Sequence, residues 1–267
     1  MKLCMMTYTM ARQGFGVKDF IKTAVDCKME GIDWVTTYGR DPKDLRNMSN
    51  DAGLEIACHT FQAGKFLAGE NDWLDEVKQS IEDAVVLGAP VVMIPTGSNK
   101  PGMNREEFRN YWIAGLKQIA PLTDDAGLIL TVENFPGEFS AFVTADDYCK
   151  AKAEIPQLKL AYDDGNAASG EDPIESFKQC ADDIAHVHLK DWYMFDNDEE
   201  GCRTSLIGKY FKPALISQGD IDTAGVWQAM KEYGYKGFIN IEYEGDDIKA
   251  DKAMQIVVDY LRAFVKK

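Results

Sequence analysis

The sequence predicts one α/β domain over residues 1–267, a single (β/α)8 TIM barrel. Three observations predict it. Eight short apolar, β-rich runs alternate with longer amphipathic segments. Glycines fall where a helical pattern gives way to the next strand. The length of 267 residues matches one such barrel, which typically needs about 250 residues.

The first strand is expected near Leu3–Met6 and the second near Ile32–Val35, and the helix between them carries a stripe of Phe20, Ala24, Cys27 and Met29. Strand three is Glu55–Cys58, followed by a helix with Trp73, Val77, Ile81, Ala84 and Val85 near i, i+4, i+8 spacing. Strands four and five are Val91–Ile94 and Ile129–Glu133. Thr144 with Asp147 resembles a capping box opening the fifth helix, and Asp172-Pro173 starts the sixth. Lys159–Tyr162, Ile184–Leu189 and Phe238–Glu242 are the last three strands. The final helix, near Ala253–Val265, places Met254, Val257, Val258, Leu261 and Val265 on one side. Most strands are too apolar to have a wet face, as parallel strands covered on both sides require. Gly31, Gly53, Gly88, Gly127 and Gly234 stand where left-handed caps are wanted.

One connection is long. Between Leu189 and Asp222 runs an excursion, about 192–219, rich in aromatic and acidic residues. It leaves the strand-to-helix face on which barrel enzymes build their sites. It is expected to serve as a lid or specificity wall, or as a subunit contact in a homo-oligomer.

Lys and Arg total 29 against 44 Asp and Glu, a formal charge of −15. Such a surface repels phosphate backbones and anionic membranes, so neither nucleic acid nor membrane is an expected partner. A small phosphorylated substrate is not excluded, because a pocket can differ locally from the global sign. Six scattered cysteines without a C-x-x-C pair read as free thiols rather than a disulfide framework. The chain start turns polar by Thr7, unlike a signal peptide, and no apolar run reaches membrane-spanning length. A cytoplasmic location is expected.

The ionisable residues cluster by position. The fifth strand ends in Glu133, the sixth runs into Asp163, the seventh carries His186 and His188, and the eighth ends in Glu242. Four consecutive strands thus bring metal-ligand residue types to one rim. Three carboxylates there would repel unless a cation or protons neutralised them. Oxygen ligands with one imidazole suit Mn²⁺ and admit Mg²⁺, Co²⁺, Fe²⁺ or Zn²⁺.

The segments Val132-Glu133-Asn134, Asp163-Asp164-Gly165-Asn166, His186-Val187-His188-Leu189-Lys190-Asp191 and Ile241-Glu242-Tyr243-Glu244 resemble the sugar phosphate isomerase/epimerase superfamily, the xylose isomerase-like barrels. The resemblance spans essentially the whole chain. It implies one divalent metal ion held by Glu133, Asp163, His188 and Glu242, with the two glutamates exchanging the substrate proton through a cis-enediolate. Three departures stand out: Asn166 where many relatives have His, Thr36 where an acidic residue usually follows strand two, and Ser217-Gln218-Gly219 for a Gly-x-Gly.

His59, Asn134, Glu138, Asn166 and Lys190 are the expected substrate-binding residues. His59 follows strand three, with a loop histidine bonded to backbone as the alternative; Glu138 lies in the loop after strand five, where an exposed loop acid is the alternative; and Asn134 adjoins a ligand. Lys190 would neutralise an enediolate, with a structural pairing to Asp191 as the alternative. His186, two residues deeper than His188, reads as a buried structural histidine. Phe15, Phe61, Phe66 and Trp112 are candidates for apolar pocket walls or for core.

The leading expectation is a metal-dependent isomerase or epimerase of a sugar or keto-sugar. The alternative is a metal-dependent dehydratase of a keto-polyol such as a keto-inositol. A non-catalytic sugar-binding barrel ranks lower. An apurinic endonuclease also ranks lower, because three histidines and a strongly acidic chain suit neither a multinuclear zinc cluster nor a DNA-binding face.

Overall fold

In the computed structural model, which describes residues 1–265, all eight expected barrel strands form. They are β1 (Lys2–Met6), β2 (Gly31–Val35), β3 (Glu55–Thr60), β4 (Val91–Ile94), β5 (Ile129–Glu133), β6 (Lys159–Asp163) and β7 (Ile184–Leu189), closed by the last strand of the chain. Between β7 and that strand the excursion contributes β8 (Asp191–Phe195), β9 (Arg203–Thr204) and β10 (Tyr210–Ala214). The eighth barrel strand is therefore β11 (Phe238–Ile241).

The strands pair in sequence order from β1 to β7, then β11, and β11 returns to β1 in the register Lys2↔Phe238 to Met5↔Ile241. Parallel neighbours cannot be joined by tight hairpins; seven helices provide the crossovers and an eighth follows β11. These span Val17–Asp26, Pro42–Asp51, Trp73–Leu87, Arg105–Asp125, Ala145–Glu154, Pro173–Cys180, Thr223–Tyr233 and Ala250–Val265. No helix among the described residues is long and apolar enough to cross a membrane.

Local chemistry sets the helix ends. Thr144 and Asp147 form the expected reciprocal box, with Thr144 N–H donating to Asp147 Oδ2 at 3.0 Å. Asp172 caps the helix that Pro173 opens, accepting from Glu175 N–H at 2.9 Å. Gly53, Gly88, Gly127 and Gly234 take the left-handed conformation expected of them, but Gly31 does not. The left-handed residue after the first crossover helix is Lys28 (φ 54°). Gly31 is already the first residue of β2, where a Cβ would lie 2.4 Å from the Phe238 ring. Close packing, not capping, therefore explains that glycine.

The main core lies between the outer faces of the strands and the helices. Phe20, Ala24, Cys27 and Met29 are buried there, as are Met254, Val257, Val258 and Leu261. The side chain of Val265 lies outside the described residues. Val85 departs from the expected stripe and is exposed, while Leu87 is buried with Val77, Ile81 and Ala84. Residue 87 lies three positions from Ala84 on the same face, whereas residue 85 is rotated about 100° from it. Phe61, Phe66 and Trp112 belong to this core, with Phe15 packed at its edge, so none walls the pocket described below. A separate inner cluster of Cys58, Val91, Met93 and Ala161 fills the barrel itself.

The excursion folds as a small antiparallel sheet in the order β8-β10-β9. Asp191 ties its two ends together. Its Oδ2 accepts from the N–H groups of Ser217 and Gly219 at 3.0 Å, and its Oδ1 from Trp192 at 2.9 Å and Ile221 at 3.1 Å. Trp192 and Phe211 are fully buried, stacking edge-on at 5.1 Å. These two aromatics thus pack within the chain instead of forming an exposed subunit contact. All six cysteines are free thiols.

Candidate metal centre and active site

Strand alternation brings the proposed ligands to one place. Asp163 lies opposite His188 in the β6–β7 register, and Asn240 lies opposite His188 in the β7–β11 register. Glu133 ends β5, and Glu242 immediately follows β11. One ligand atom from each of Glu133, Asp163, His188 and Glu242 lies within 4.8 Å of the others, and all four residues are buried. His188 Nδ1 is the hub: 3.0 Å from Glu133 Oε1, 3.4 Å from Glu242 Oε2 and 4.0 Å from Asp163 Oδ2.

Three of these atoms, Asp163 Oδ2, His188 Nδ1 and Glu242 Oε2, are buried without a hydrogen-bond partner. Orphaned acceptors are costly in a protein interior unless something else satisfies them. Three acidic oxygens and one imidazole nitrogen aimed at a common point fit a divalent cation with a mixed oxygen and nitrogen set. These four residues could hold such an ion.

The surrounding residues orient the ligands. Asn134 brackets the main chain of Asp163: its Nδ2 donates to the Asp163 carbonyl and its Oδ1 accepts from the Asp163 N–H, both at 2.8 Å. Asn166 donates its N–H to Asp163 Oδ1 at 2.7 Å and its Nδ2 to the Asn134 carbonyl at 3.0 Å. With these bonds made, Asn134 holds the Asp163 main chain in place. Asn166 retains only a long 3.4 Å approach from Lys190 Nζ to its Oδ1.

Lys190 is drawn into the site rather than to Asp191, whose carboxylate is spent on backbone N–H groups. Its Nζ is 3.0 Å from Glu242 Oε1, 3.3 Å from Asp163 Oδ2 and 2.9 Å from Glu244 Oε1. Burial alone would favour the neutral amine, but these carboxylates outweigh it and keep the ammonium charged far above its usual range. The same charges sort the acids. Burial works to raise Glu242, yet Lys190 and His188 pull its carboxyl down to about 2. Burial pushes Asp163 up to about 7, because the repulsion of Glu242 and Glu133 offsets the attraction of Lys190. Burial disfavours charge on His188, but Glu133 and Glu242 overcome it and raise its affinity for a proton.

Two expected substrate residues lie elsewhere. β3 continues to Thr60, so His59 is inside the strand and points opposite to Thr60. Its Nδ1 sits 2.9 Å from the Trp34 carbonyl, its ring is buried, and it does not line the pocket. Burial also keeps this imidazole neutral. Glu138 is exposed, and its contribution is a backbone N–H donated to the Thr204 carbonyl at 3.1 Å, which docks the loop after β5 onto the excursion.

Several residues of the site were not anticipated. Asp33 sits inside β2, fully buried, with Oδ2 accepting from Asn240 Nδ2 at 2.7 Å and both oxygens near Thr60 Oγ1 at 3.0–3.1 Å. Asn240 Nδ2 is also 3.1 Å from His188 Nε2, and His186 Nε2 is 3.5 Å from Asp33 Oδ2. This layer supports the far side of the His188 ring, as imidazole ligands generally require. Burial holds His186 neutral, in keeping with a structural role. A charged residue inside the apolar run Gly31-Ile32-Asp33-Trp34-Val35 is itself a signal of an inward position. Thr36, which follows β2, takes a strained φ of 67° and offers no acid.

Above the quartet opens a pocket of about 170 Å³, walled by Met6, Tyr8, Met93 and Phe135 and floored by Glu133, Glu242 and Lys190. The excursion contributes Arg203, whose guanidinium lies 4.6 Å from the Trp192 ring and 4.9 Å from Phe211, and whose NH2 is 3.0 Å from Glu244 Oε2. The excursion is therefore a wall of the site.

Comparison with known proteins agrees with this architecture. Inosose dehydratases recur among the curated relatives, and that of Lacticaseibacillus casei is 24% identical over 239 residues, covering 83% of this chain and 80% of the relative. Among solved structures, the IOLI protein with a bound zinc atom superposes with a TM-score of 0.80 at 17% identity, covering 99% of this chain and 98% of that one. The D-psicose 3-epimerase of Clostridium cellulolyticum, solved with D-tagatose, superposes with a TM-score of 0.77 at 10% identity, covering 99% of each. The xylose isomerase-like TIM barrel model matches residues 21–264, and the chain belongs to that family.

Proposed function

We propose that this protein is a divalent-metal-dependent dehydratase of a keto-polyol, of the keto-inositol class. The observation that carries the proposal is the convergence of Glu133, Asp163, His188 and Glu242 beside the buried Lys190 ammonium. The recurrence of inosose dehydratases among relatives aligned over about four-fifths of both chains favours water loss over the isomerase reading that the sequence alone suggests.

Glu133, Asp163, His188 and Glu242 would hold the ion, with Mn²⁺ the best match to the donors and zinc supported by the IOLI protein. A bound divalent cation supplies Lewis acidity that lowers the cost of enolising a substrate ketone. Glu242, kept ionised by Lys190 and His188, is the base that takes the carbon-bound proton next to the carbonyl. Lys190, 3.0 Å from Glu242, offsets the negative charge that develops on the enolate oxygen. The carbon–oxygen bond at the next carbon then breaks as the double bond forms. Glu242 returns its proton to the departing hydroxyl, which leaves as water. The products are an unsaturated hydroxyketone and one water, with no oxidant or reductant required.

A second reading, epimerisation or isomerisation of a sugar, is favoured by one feature. Glu133 and Glu242 both approach His188 Nδ1, at 3.0 and 3.4 Å, so a second carboxylate stands ready to return the proton to another position. Incubation of metal-loaded protein with a keto-inositol in D₂O distinguishes the two. Loss of one water with a new enone absorbance supports dehydration. Deuterium incorporation or a new epimer, with no loss of water from any keto-polyol tried, would replace it with the second reading.

A further inference from the structure

We propose that Glu244 makes this pocket selective for uncharged substrates, by occupying Arg203, the cation on its outer wall. The inference rests on the reading of the pocket as a keto-polyol site and narrows its substrate class. Neutral ketoses and keto-inositols fit it, whereas phosphorylated or carboxylated ones do not.

The geometry is a bridge. Glu244 uses both carboxylate oxygens, Oε1 at 2.9 Å from Lys190 Nζ and Oε2 at 3.0 Å from Arg203 NH2. Arg203 comes from the excursion, and its guanidinium packs against the Trp192 and Phe211 rings, 4.6 and 4.9 Å from their centroids. Those contacts restrain the side chain while leaving 41% of it exposed, so its guanidinium is accessible to an anion. Glu244 fills the position that an anion would take. Its side chain is 19% exposed against 41% for Arg203, and both line the same pocket, so a phosphate or carboxylate reaching the guanidinium would come up against this carboxylate.

The local charges lead to the same conclusion. Glu133, Asp163, Glu242 and Glu244 carry four negative charges, and Lys190, Arg203 and a divalent cation match them. The buried Asp33 carboxylate behind His188 leaves the loaded site with a net negative charge before any substrate anion enters. A neutral polyol can donate hydroxyl protons to Glu244 or accept from the remaining Arg203 N–H groups. An anion would add an unmatched charge where water is scarce. A selective site of this kind often uses such a repulsive element.

The test is calorimetric binding to metal-loaded protein with two probes of similar size: a keto-inositol, and a carboxylated cyclic hydroxyketone of the dehydroshikimate type. Wild type is expected to bind the neutral probe more tightly than the anion by about tenfold or more. Glu244→Gln removes the charge at constant shape and should raise affinity for the anion by about tenfold or more. Adding Arg203→Gln to that variant should abolish the gain. Glu244→Ala, read in the same way, serves if Glu244→Gln does not fold. Equal anion affinity in wild type and in the Glu244 variants, including no binding to either, overturns the proposal, as does a gain that survives loss of Arg203. If no form dehydrates a keto-inositol while the anion gain appears, the dehydratase reading fails and the charge selectivity stands.

Discussion

A divalent cation entering the quartet has to displace protons from the ligands that hold them. In the metal-free protein, burial and the neighbouring carboxylates raise Asp163 to about 7, so it is half protonated at neutral pH. His188, lifted well above the usual histidine value by Glu133 and Glu242, holds a second proton. Glu242, pulled to about 2, holds none. Both raised groups bind protons that a metal ligand must release, so cation affinity falls as pH falls. Between pH 8 and pH 6, Asp163 at about 7 should by itself contribute about tenfold, roughly 1.4 kcal/mol, and the proton on His188 adds to the fall in the same direction. Titration calorimetry of chelator-treated protein with Mn²⁺ or Zn²⁺, in two buffers of different ionisation enthalpy, measures both affinity and proton release. Proton release should be larger at pH 6 than at pH 8, because Asp163 fills with protons between the two. Asp163→Asn should lose the rise in proton release between pH 8 and pH 6 and bind the ion more weakly. Affinity that varies less than about threefold across this range, or no released proton, would refute the charge assignment.

Other consequences follow from the same contacts. Glu133→Gln and Glu242→Gln should each lower turnover of the proposed substrate by about a hundredfold or more while circular dichroism and melting stay native-like; turnover near wild type in either would remove that residue from the proton-transfer chemistry. Asp191→Asn leaves one oxygen for four backbone N–H groups. It should destabilise the excursion by about 3 kcal/mol, seen as faster hydrogen exchange over 191–221, and unchanged protection there would contradict the anchoring role. Ser217 occupies a left-handed φ of 82°, a conformation that glycine adopts without strain. Ser217→Gly should therefore raise stability by about 0.5–1 kcal/mol in denaturant melts, and a loss of stability would show that the serine side chain matters more than the backbone strain.

The barrel was legible in the sequence because its determinants are local and periodic. Eight apolar runs too hydrophobic for a wet face, separated by 3.6-residue stripes, leave few arrangements other than helices packed around parallel strands. The quartet was legible for a related reason: Glu133, Asp163, His188 and Glu242 all sit at the same point of the strand-to-loop transition, and closing the barrel brings those ends together. Spacing along the chain said less about direction. His59 was placed after β3 and pointed inward; one more strand residue, Thr60, reverses that reading, because neighbouring side chains in a strand face opposite sides. Asn134 and Glu138 adjoin the site in sequence, yet one is spent on the Asp163 main chain and the other contributes only backbone to the excursion.

What only the tertiary structure decided is which charges meet. The choice of Asp163 over Asp164 and of His188 over His186 rests on the family resemblance, while the sequence pattern alone determined the fold and the rim. It contained no means of pairing Asp33 with Asn240, which lie 207 positions apart, or Arg203 with Glu244 across 41. Nor could it separate Lys190 from Asp191, adjacent in the chain but turned to opposite tasks. Periodicity is a property of one segment, whereas charge compensation belongs to groups that meet only after the barrel has closed and the excursion has folded back onto its mouth.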